Sequence, residues 1–229
     1  MTADIVDHEI TGTTSASGRS VGMVVAAIRD HIRRLELLPG EQLRQSDWAD
    51  RVGVSRVPVR EALNSLALAG ILTHDPNRGF FVTKYTRAEL AQLHYVRGVI
   101  ELECVRALEW PTAEGIVPLR HLAGRMSAAA AAGDALGWLE AHDVFHSMIL
   151  SRSPLTVLVH EAERLYARTE GFRSMRAHNT LEHSNSEQLA HNRILEALEE
   201  RDRDCLIALF SEGLQVKDSD WLQWIANAS

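Results

Sequence analysis

Residues 53–63, which read GVSRVPVREAL, decide the fold of the N-terminal part of the chain. Ser55 is a residue type that begins helices, and Pro58 then falls in the first turn, where the missing N–H of proline sacrifices no hydrogen bond. At about 100° per residue, one side of this helix is apolar. The residues on that side are Val59, Ala62, Leu63 and Leu66.

The same helix carries a polar row at i, i+4 and i+8, made of Arg56, Arg60 and Asn64. Arginine donates paired hydrogen bonds to guanine edges and also binds phosphate, and a helix N-terminus favours phosphate as well. An ordinary amphipathic helix with solvated arginines gives the same pattern. The segments on either side of this helix therefore decide between a DNA recognition helix and an ordinary one.

Upstream, two further helices are predicted. Apolar residues at helical spacing predict an amphipathic helix over residues 21–35, which Leu38-Pro39-Gly40 ends. Ser46 is predicted to cap a short second helix, and Gly53 is the turn residue after it. The predicted buried stripes are Val21, Val25, Ile28, Ile32 and Leu35 in the first helix, and Trp48, Ala49 and Val52 in the second.

Downstream, the short apolar runs 71–74 and 80–83 flank the turn sequence DPNRG at residues 75–79, which predicts a β-hairpin. The order helix, helix, turn, helix, hairpin is typical of a winged helix-turn-helix. At the hairpin tip, Arg78-Gly79 either places a cation against a phosphate or in a minor groove, or is a plain turn.

The charge distribution agrees with a DNA-binding N-terminal segment, although the chain as a whole has a net charge of −7. Residues 19–84 carry ten Lys and Arg against seven Asp and Glu, a formal charge of +3, while the rest of the chain carries −10. Positive charge is therefore concentrated where DNA contacts are predicted.

From residue 86 the pattern is helical almost throughout, with breaks at Trp110-Pro111, Gly133-Asp134, Ser153-Pro154 and His178-Asn179. Six helices with short connections predict an antiparallel bundle. The predicted helices are Arg87–Leu108, Val117–Ala132, Ala135–Arg152, Leu155–Arg176, Leu181–Glu200 and Cys205–Ala226. The expected organisation is a flexible tail at 1–18, a winged helix-turn-helix at 19–84, and an all-helical domain at 86–229.

The N-terminal pieces resemble the DNA-binding domain of GntR-family regulators. The resemblance is carried by LPGE at 38–41, by residues 53–63, by GIL at 70–72 and by RGFFV at 78–82. Gln42 stands where the family often has Arg, and Val57 where it often has Thr. The residues predicted to contact operator DNA are Arg56, Val57, Arg60, Asn64, Arg78 and Gly79.

Residues 86–229 resemble the FCD effector domain of the FadR subfamily, with a length closer to the VanR-like variant. The resemblance implies a divalent-metal site of one Asp and three His beside a pocket for a small carboxylate. His146 and His191 match that ligand set, whereas position 142 is His instead of Asp, and position 213 is Gly instead of His.

His142, His146 and His191 can still supply three imidazoles, because the first two are four residues apart on one helix. Imidazole suits Zn or Ni, and missing protein ligands would leave room for water or an effector carboxylate. The alternative is a set of partly buried histidines that only pack in the bundle. His160, His178 and His183 are possible replacement ligands, but their spacing selects none of them.

Arg97 either forms an intrahelical ion pair with Glu101 or, as the family resemblance implies, points into the effector pocket. Arg168 and Arg173 are further pocket candidates, with a solvated helix face as the alternative. Trp138 either lines the pocket or belongs to the core. The predicted effector-binding residues are Arg97, His142, His146 and His191.

Taken together, the sequence predicts a cytoplasmic, homodimeric transcription regulator that binds double-stranded operator DNA and a small-molecule effector. Cys104 and Cys205 cannot form a disulfide framework, and no apolar run approaches the ~20 residues that span a bilayer. The alternatives are a constitutive dimeric DNA-binding protein and a metal-dependent hydrolase. The hydrolase is disfavoured, because the sequence has no HExxH, no nucleophile elbow and no P-loop.

Overall fold

A computed structural model describes residues 16–180 and 184–212, with side chains at 18–178 and 189–212. Its N-terminal part is three helices and a small antiparallel sheet with the strand order β1-β3-β2. This arrangement confirms the predicted winged helix-turn-helix. The elements are α1 (Ala16–Arg33), β1 (Gln42–Leu43), α2 (Gln45–Val52), α3 (Arg56–Leu68), β2 (Leu72–Asp75) and β3 (Gly79–Val82).

The core of this unit is the contact between α1 and the apolar side of α3. The predicted stripe of α3 is confirmed, since all four residues are 0–2% exposed. In α1 the fully buried positions are Val24, Ile28 and Ile32, while Val21 and Val25 are only partly buried. Trp48 and Ala49 of α2 are buried as predicted. The helix-turn-helix is thus fixed by apolar packing, which leaves the other side of α3 exposed.

Several predicted helix ends differ from the structure. The cap assigned to Ser46 is wrong, because α2 begins at Gln45 after Arg44, and the Ser46 hydroxyl donates to Asp47 at 2.9 Å. Ser55 does occupy the N-cap position of α3, but its side chain makes no capping hydrogen bond. Helix α1 ends before Leu35, which has a φ of +59°, and it begins inside the segment assigned to a tail.

Strand β1 was not anticipated. Its two residues pair antiparallel with β3, with Gln42 opposite Phe81 and Leu43 opposite Phe80. A two-residue strand is too short to show a period of two, so no pattern in the sequence could indicate it. Pairing of β1 with β3 buries Leu43 and gives the wing its third strand.

Among the described residues, the C-terminal part contains helices and no strand, as predicted. Its large apolar cluster is drawn from all six of the helices named below and from residues 203–212, and it includes Cys104, Met126, Phe145 and Leu206, each 0% exposed. Among the residues that the structure describes, no helix is both long enough and apolar enough to cross a membrane. The helices are α4 (Arg87–Ala107), α5 (Ala113–Ala132), α6 (Ala135–Leu150), α7 (Thr156–Arg168), α8 (Glu170–Thr180) and α9 (Ser184–Glu200), followed by helical residues 203–212.

Helix α5 begins four residues before Val117, because the side chain of Thr112 accepts from the N–H of Gly115 and caps the helix there. The last predicted helix, 205–226, lies outside the described residues from position 213 onward.

The single helix predicted over 155–176 is wrong, since it divides at Thr169 into α7 and α8. The Thr169 hydroxyl donates to the carbonyl of Leu165 at 3.1 Å, and such side-chain bonds within a helix bend it. The break predicted at His178-Asn179 is also wrong, because α8 continues to Thr180. Helix α8 contacts both α6 and α1, so this kink brings the helical part against the N-terminal part.

Candidate DNA interface and histidine site

The exposed side of α3 carries every residue of that helix that was predicted to contact DNA. Arg56, Arg60 and Asn64 are exposed, and Val57 is 55% exposed. Pro58 and Val59 between them are buried. The structure therefore presents two arginines at the N-terminal half of a helix whose opposite side is fixed in the core, as a recognition helix requires.

The turn at the wing tip is stabilised by hydrogen bonds between a side chain and the backbone. Asp75 Oδ1 accepts from the backbone N–H of Asn77 at 2.9 Å and of Arg78 at 3.2 Å. Gly79 has a φ of +95°, which favours glycine. Arg78 is exposed and its guanidinium lies 5.1 Å from the centroid of the Phe81 ring. Gln42, the position that departs from the family, donates to the Arg78 carbonyl and so supports the tip.

The structure brings the three predicted histidines together. His142 and His146 come from α6 and His191 comes from α9, and one nitrogen from each lies within 4.8 Å of the others. Their ring centroids are 4.5–5.5 Å apart. His142 and His191 are buried, whereas His146 is half-buried. His142 and His146 share one face of α6 because they are four residues apart, and α9 brings His191 against them, so the three form one cluster.

Aromatic side chains surround the cluster. Trp138 stacks on His142 at 4.7 Å, Phe145 meets His191 edge-on at 5.4 Å, and Phe210 meets His146 at 5.7 Å. Trp138 is 7% exposed and belongs to the apolar core as well. These rings restrict the orientations of the imidazoles.

Tyr166 is a member of the site that the sequence analysis missed. Its hydroxyl oxygen lies 3.3 Å from Nδ1 of His142. Burial raises the pKa of Tyr166, which keeps the hydroxyl protonated. A hydrogen bond at one imidazole nitrogen sets which of the two can bind a ligand. No motif in the sequence indicated Tyr166, because α7 comes against α6 only in three dimensions.

Arg97 and Arg173 lie on the ring of Tyr166. Their guanidinium carbons are 4.6 Å and 4.0 Å from its centroid. The intrahelical ion pair between Arg97 and Glu101 is formed, at 3.2 Å from Nε to Oε1, and both residues are buried. The ion-pair expectation for Arg97 is therefore met, whereas its place in an effector pocket stays a prediction; its guanidinium contacts Tyr166, which in turn contacts His142.

Arg173 is buried rather than solvated and donates to Asp143. Burial alone would lower the pKa of Arg173, but Asp143 and the other acidic neighbours outweigh it and the pKa is raised. Arg168, the other candidate on this segment, instead donates to the Tyr85 hydroxyl at 3.3 Å. Of the possible replacement ligands, His160 is exposed, His178 bonds to the Ser174 carbonyl, and His183 lies outside the described residues.

The donor set fits a divalent transition metal. Neutral imidazole is the commonest protein ligand of this kind, and three such donors converge here beside the aromatic rings. Zn–N bonds are about 2.0–2.1 Å, so the rings have to close inward slightly to share one ion. Position 213, where the resemblance implies a fourth ligand, is Gly and lies outside the described residues.

Family models match both parts of the chain. The model of bacterial regulatory proteins of the gntR family matches residues 21–82, and the FCD domain model matches residues 92–215. With the fold above, these matches define the class of protein, a transcription regulator with a winged helix-turn-helix and a helical domain, and not an enzyme. The chain belongs to the GntR family, in its FadR-like subfamily with an FCD domain.

Individual relatives agree with this assignment. The chain is 26% identical over 192 residues to the HTH-type transcriptional repressor RspR of Escherichia coli, covering 82% of each chain. It is 38% identical over 81 residues to an uncharacterized HTH-type regulator of Streptomyces ambofaciens, an alignment that spans only 34% of that protein. The solved structure of E. coli McbR/YncC shares the fold, with a TM-score of 0.78, 23% identity and coverage of 90% of this chain and 98% of that one.

Proposed function

We propose that this regulator binds operator DNA as a homodimer through α3 and the wing, and that a small anionic effector in the helical domain changes its DNA affinity. The observation that carries the DNA part is the exposed row of Arg56, Arg60 and Asn64 opposite a fully buried stripe. Val57 and the wing residues Arg78 and Gly79 extend the same interface. A bacterial protein that acts on genomic DNA works in the cytoplasm, and we place this chain there.

Arg56 and Arg60 supply the readout in this proposal, with the wing arginine on the phosphate backbone. An arginine that reads a guanine contributes about 1–3 kcal/mol of discrimination, whereas a phosphate contact contributes affinity without sequence preference. One short helix reads few base pairs, so two copies on inverted half-sites are expected.

The effector part rests on the cluster of buried imidazoles beside a buried arginine. A divalent metal held by His142, His146 and His191 would supply a positive centre with coordination positions that these three residues do not fill. Arg97, which reaches the cluster through Tyr166, adds a second cation of the kind that holds a carboxylate. Without a metal, protonated imidazoles can donate hydrogen bonds directly to an anion.

The DNA proposal is tested by selecting bound fragments from a genomic library and measuring their affinity by gel shift. The Arg56→Ala and Arg60→Ala variants are each expected to lose about 1–3 kcal/mol of specific binding, with unchanged folding because both side chains are exposed. Arg125→Ala, at an exposed position of α5, is the matched control. Unchanged specific binding in the double variant would refute the proposed interface.

The effector proposal is tested with a carboxylate library, with and without a chelator, on protein purified without a His-tag. Melting temperature and operator affinity are the two readouts, and a coupling of about 1–3 kcal/mol is expected between effector and DNA. A regulator that binds DNA but responds to no member of the library in either readout supports the constitutive alternative.

A further inference from the structure

A buried carboxylate of the helical domain holds two arginines of the DNA-binding domain. Glu170, in the first turn of α8, has a side chain that is 1% exposed. Arg29 of α1 donates to both of its oxygens, from Nε at 2.9 Å and from Nη2 at 3.2 Å, and Arg33 donates to the same group. A carboxylate buried this far depends on its cationic partners, so these bonds bind α1 to α8.

Asp143 connects this contact to the histidine site. It follows His142 directly on α6, and its Oδ1 lies 3.6 Å from Nδ1 of that ring. The same carboxylate accepts from Arg173 and lies 3.8 Å from Nη2 of Arg33. Asp143 is therefore shared by a histidine of the site, an arginine of the helical domain and an arginine of the DNA-binding domain.

A second patch beside Glu170 joins the same two domains. Arg168 donates to the Tyr85 hydroxyl, which in turn donates to the carbonyl of Gly70, each at 3.3 Å. In α8, a Cβ atom placed on Gly171 would lie 3.3 Å from Cγ2 of Ile32, so α1 and α8 approach each other closely there. The helical domain thus contacts α1 and the end of α3 at the kink between α7 and α8.

We propose that Glu170 and Asp143, together with Arg29 and Arg33, form a clasp that fixes the position of the DNA-binding domain and transmits occupancy of the histidine site to it. The proposal rests on the proposed function, since it assigns a regulatory route to that site. Its physical basis is competition for Asp143, because a Zn²⁺ ion held at His142 would bring positive charge close to that carboxylate and weaken its hold on Arg33. Low exposure keeps these interactions from being screened by solvent.

The test measures the distance between the domains directly. Spin labels are attached through Leu68→Cys on α3 and Val117→Cys on α5, both at exposed positions, in a Cys205→Ser background. Labelled protein is diluted with unlabelled protein, so that double electron–electron resonance reports distances within one chain. Chelator-stripped, tag-free protein is measured with and without Zn²⁺, and Zn²⁺ binding is followed separately by calorimetry.

The decisive variant is Glu170→Gln, which keeps the shape of the side chain and removes its charge. In the wild type we expect a narrow distance distribution that shifts with Zn²⁺, and a change in operator affinity of about fivefold or more. In Glu170→Gln we expect a broadened distance distribution. We also expect less than half of the wild-type change in distance and in operator affinity on adding Zn²⁺, with Zn²⁺ binding retained. Glu199→Gln is the matched control, because Glu199 pairs with Arg120 inside the helical domain and is exposed.

Arg33→Gln is the second variant, used if Glu170→Gln does not fold, since Arg29 still pairs with Glu170 in it. A Zn²⁺ response in the variants equal to that of the wild type overturns the clasp while leaving the proposed function intact. So does a wild type that binds Zn²⁺ without any change in distance or affinity. A wild type that binds no Zn²⁺ contradicts the metal version of the proposed function, and the clasp as a route from a metal site falls with it.

Discussion

The hydroxyl oxygen of Tyr166 lies 3.3 Å from Nδ1 of His142 and so joins α7 to the histidine triad. The guanidinium groups of Arg97 and Arg173 both contact the Tyr166 ring. One aromatic residue thus connects the imidazole cluster with the buried arginines. Its role as a positioning residue can be separated from its role in packing, because the ring and the hydroxyl can be changed independently.

Tyr166→Phe keeps the ring that the two arginines contact and removes only the hydroxyl at His142. Loss of a hydrogen bond that orients a metal-binding histidine typically lowers metal affinity by about 10–100-fold, and we expect an effect of that size on Zn²⁺ affinity. Competition with a chromophoric chelator measures it. Tyr95→Phe is the control, since Tyr95 is 65% exposed. Equal Zn²⁺ affinity in wild type and Tyr166→Phe would exclude the positioning role.

His146→Ala removes the half-buried member of the triad. We expect the bound metal, measured by elemental analysis of tag-free protein, to fall well below that of the wild type, because two imidazoles hold Zn²⁺ more weakly than three. His121→Ala, at an exposed position of α5, is the matched control and is expected to retain the metal. If wild type and His146→Ala carry the same metal content, the triad is not a metal site.

Gly70→Ala tests the contact between the end of α3 and the helical domain. Gly70 and Gly53 have nearly equal φ values, +75° and +71°, so alanine carries a similar backbone cost at both positions. Only at Gly70 would the new Cβ lie 2.9 Å from Cγ of Arg168, whereas at Gly53 nothing lies within 4 Å. We expect Gly70→Ala to destabilise the protein by about 1–3 kcal/mol more than Gly53→Ala.

Chemical denaturation of both glycine variants measures this difference. In an Arg168→Ala background, Gly70→Ala is expected to destabilise the protein no more than Gly53→Ala does, because the atom that obstructs the new Cβ is then absent. A persistent excess in that double variant would show that the contact between the domains is not its cause.

A homodimer is expected in solution, with twice the chain mass of 25.5 kDa. The physical reason is that a single recognition helix reads too few base pairs for a specific site, and two-fold pairing doubles that number. Light scattering at micromolar concentration gives the mass, and repeating the measurement on operator DNA gives the bound stoichiometry. A chain that stays monomeric in both conditions would contradict this expectation.

The sequence could predict the elements whose signal is local. The stripe Val59, Ala62, Leu63 and Leu66 has helical periodicity, and the turn sequence at 75–79 separates two apolar runs, so both α3 and the hairpin were predicted. The four-residue spacing of His142 and His146 likewise placed them on one helix face. Ser46 misled the prediction of α2, because a side chain that can cap a helix also bonds locally to other groups, as it does here to Asp47.

By itself, then, the sequence determined the winged helix-turn-helix, the all-helical second domain and the three histidines, because periodicity, turn residues and spacing act over a few neighbouring residues. Only the tertiary structure decided that the 155–176 segment divides at Thr169, that Tyr166 reaches His142, and that Glu170 is buried against Arg29 and Arg33. Arg29 and Glu170 are 141 residues apart in the chain. Contacts of that kind depend on how helices cross, and no local pattern of residue types encodes them.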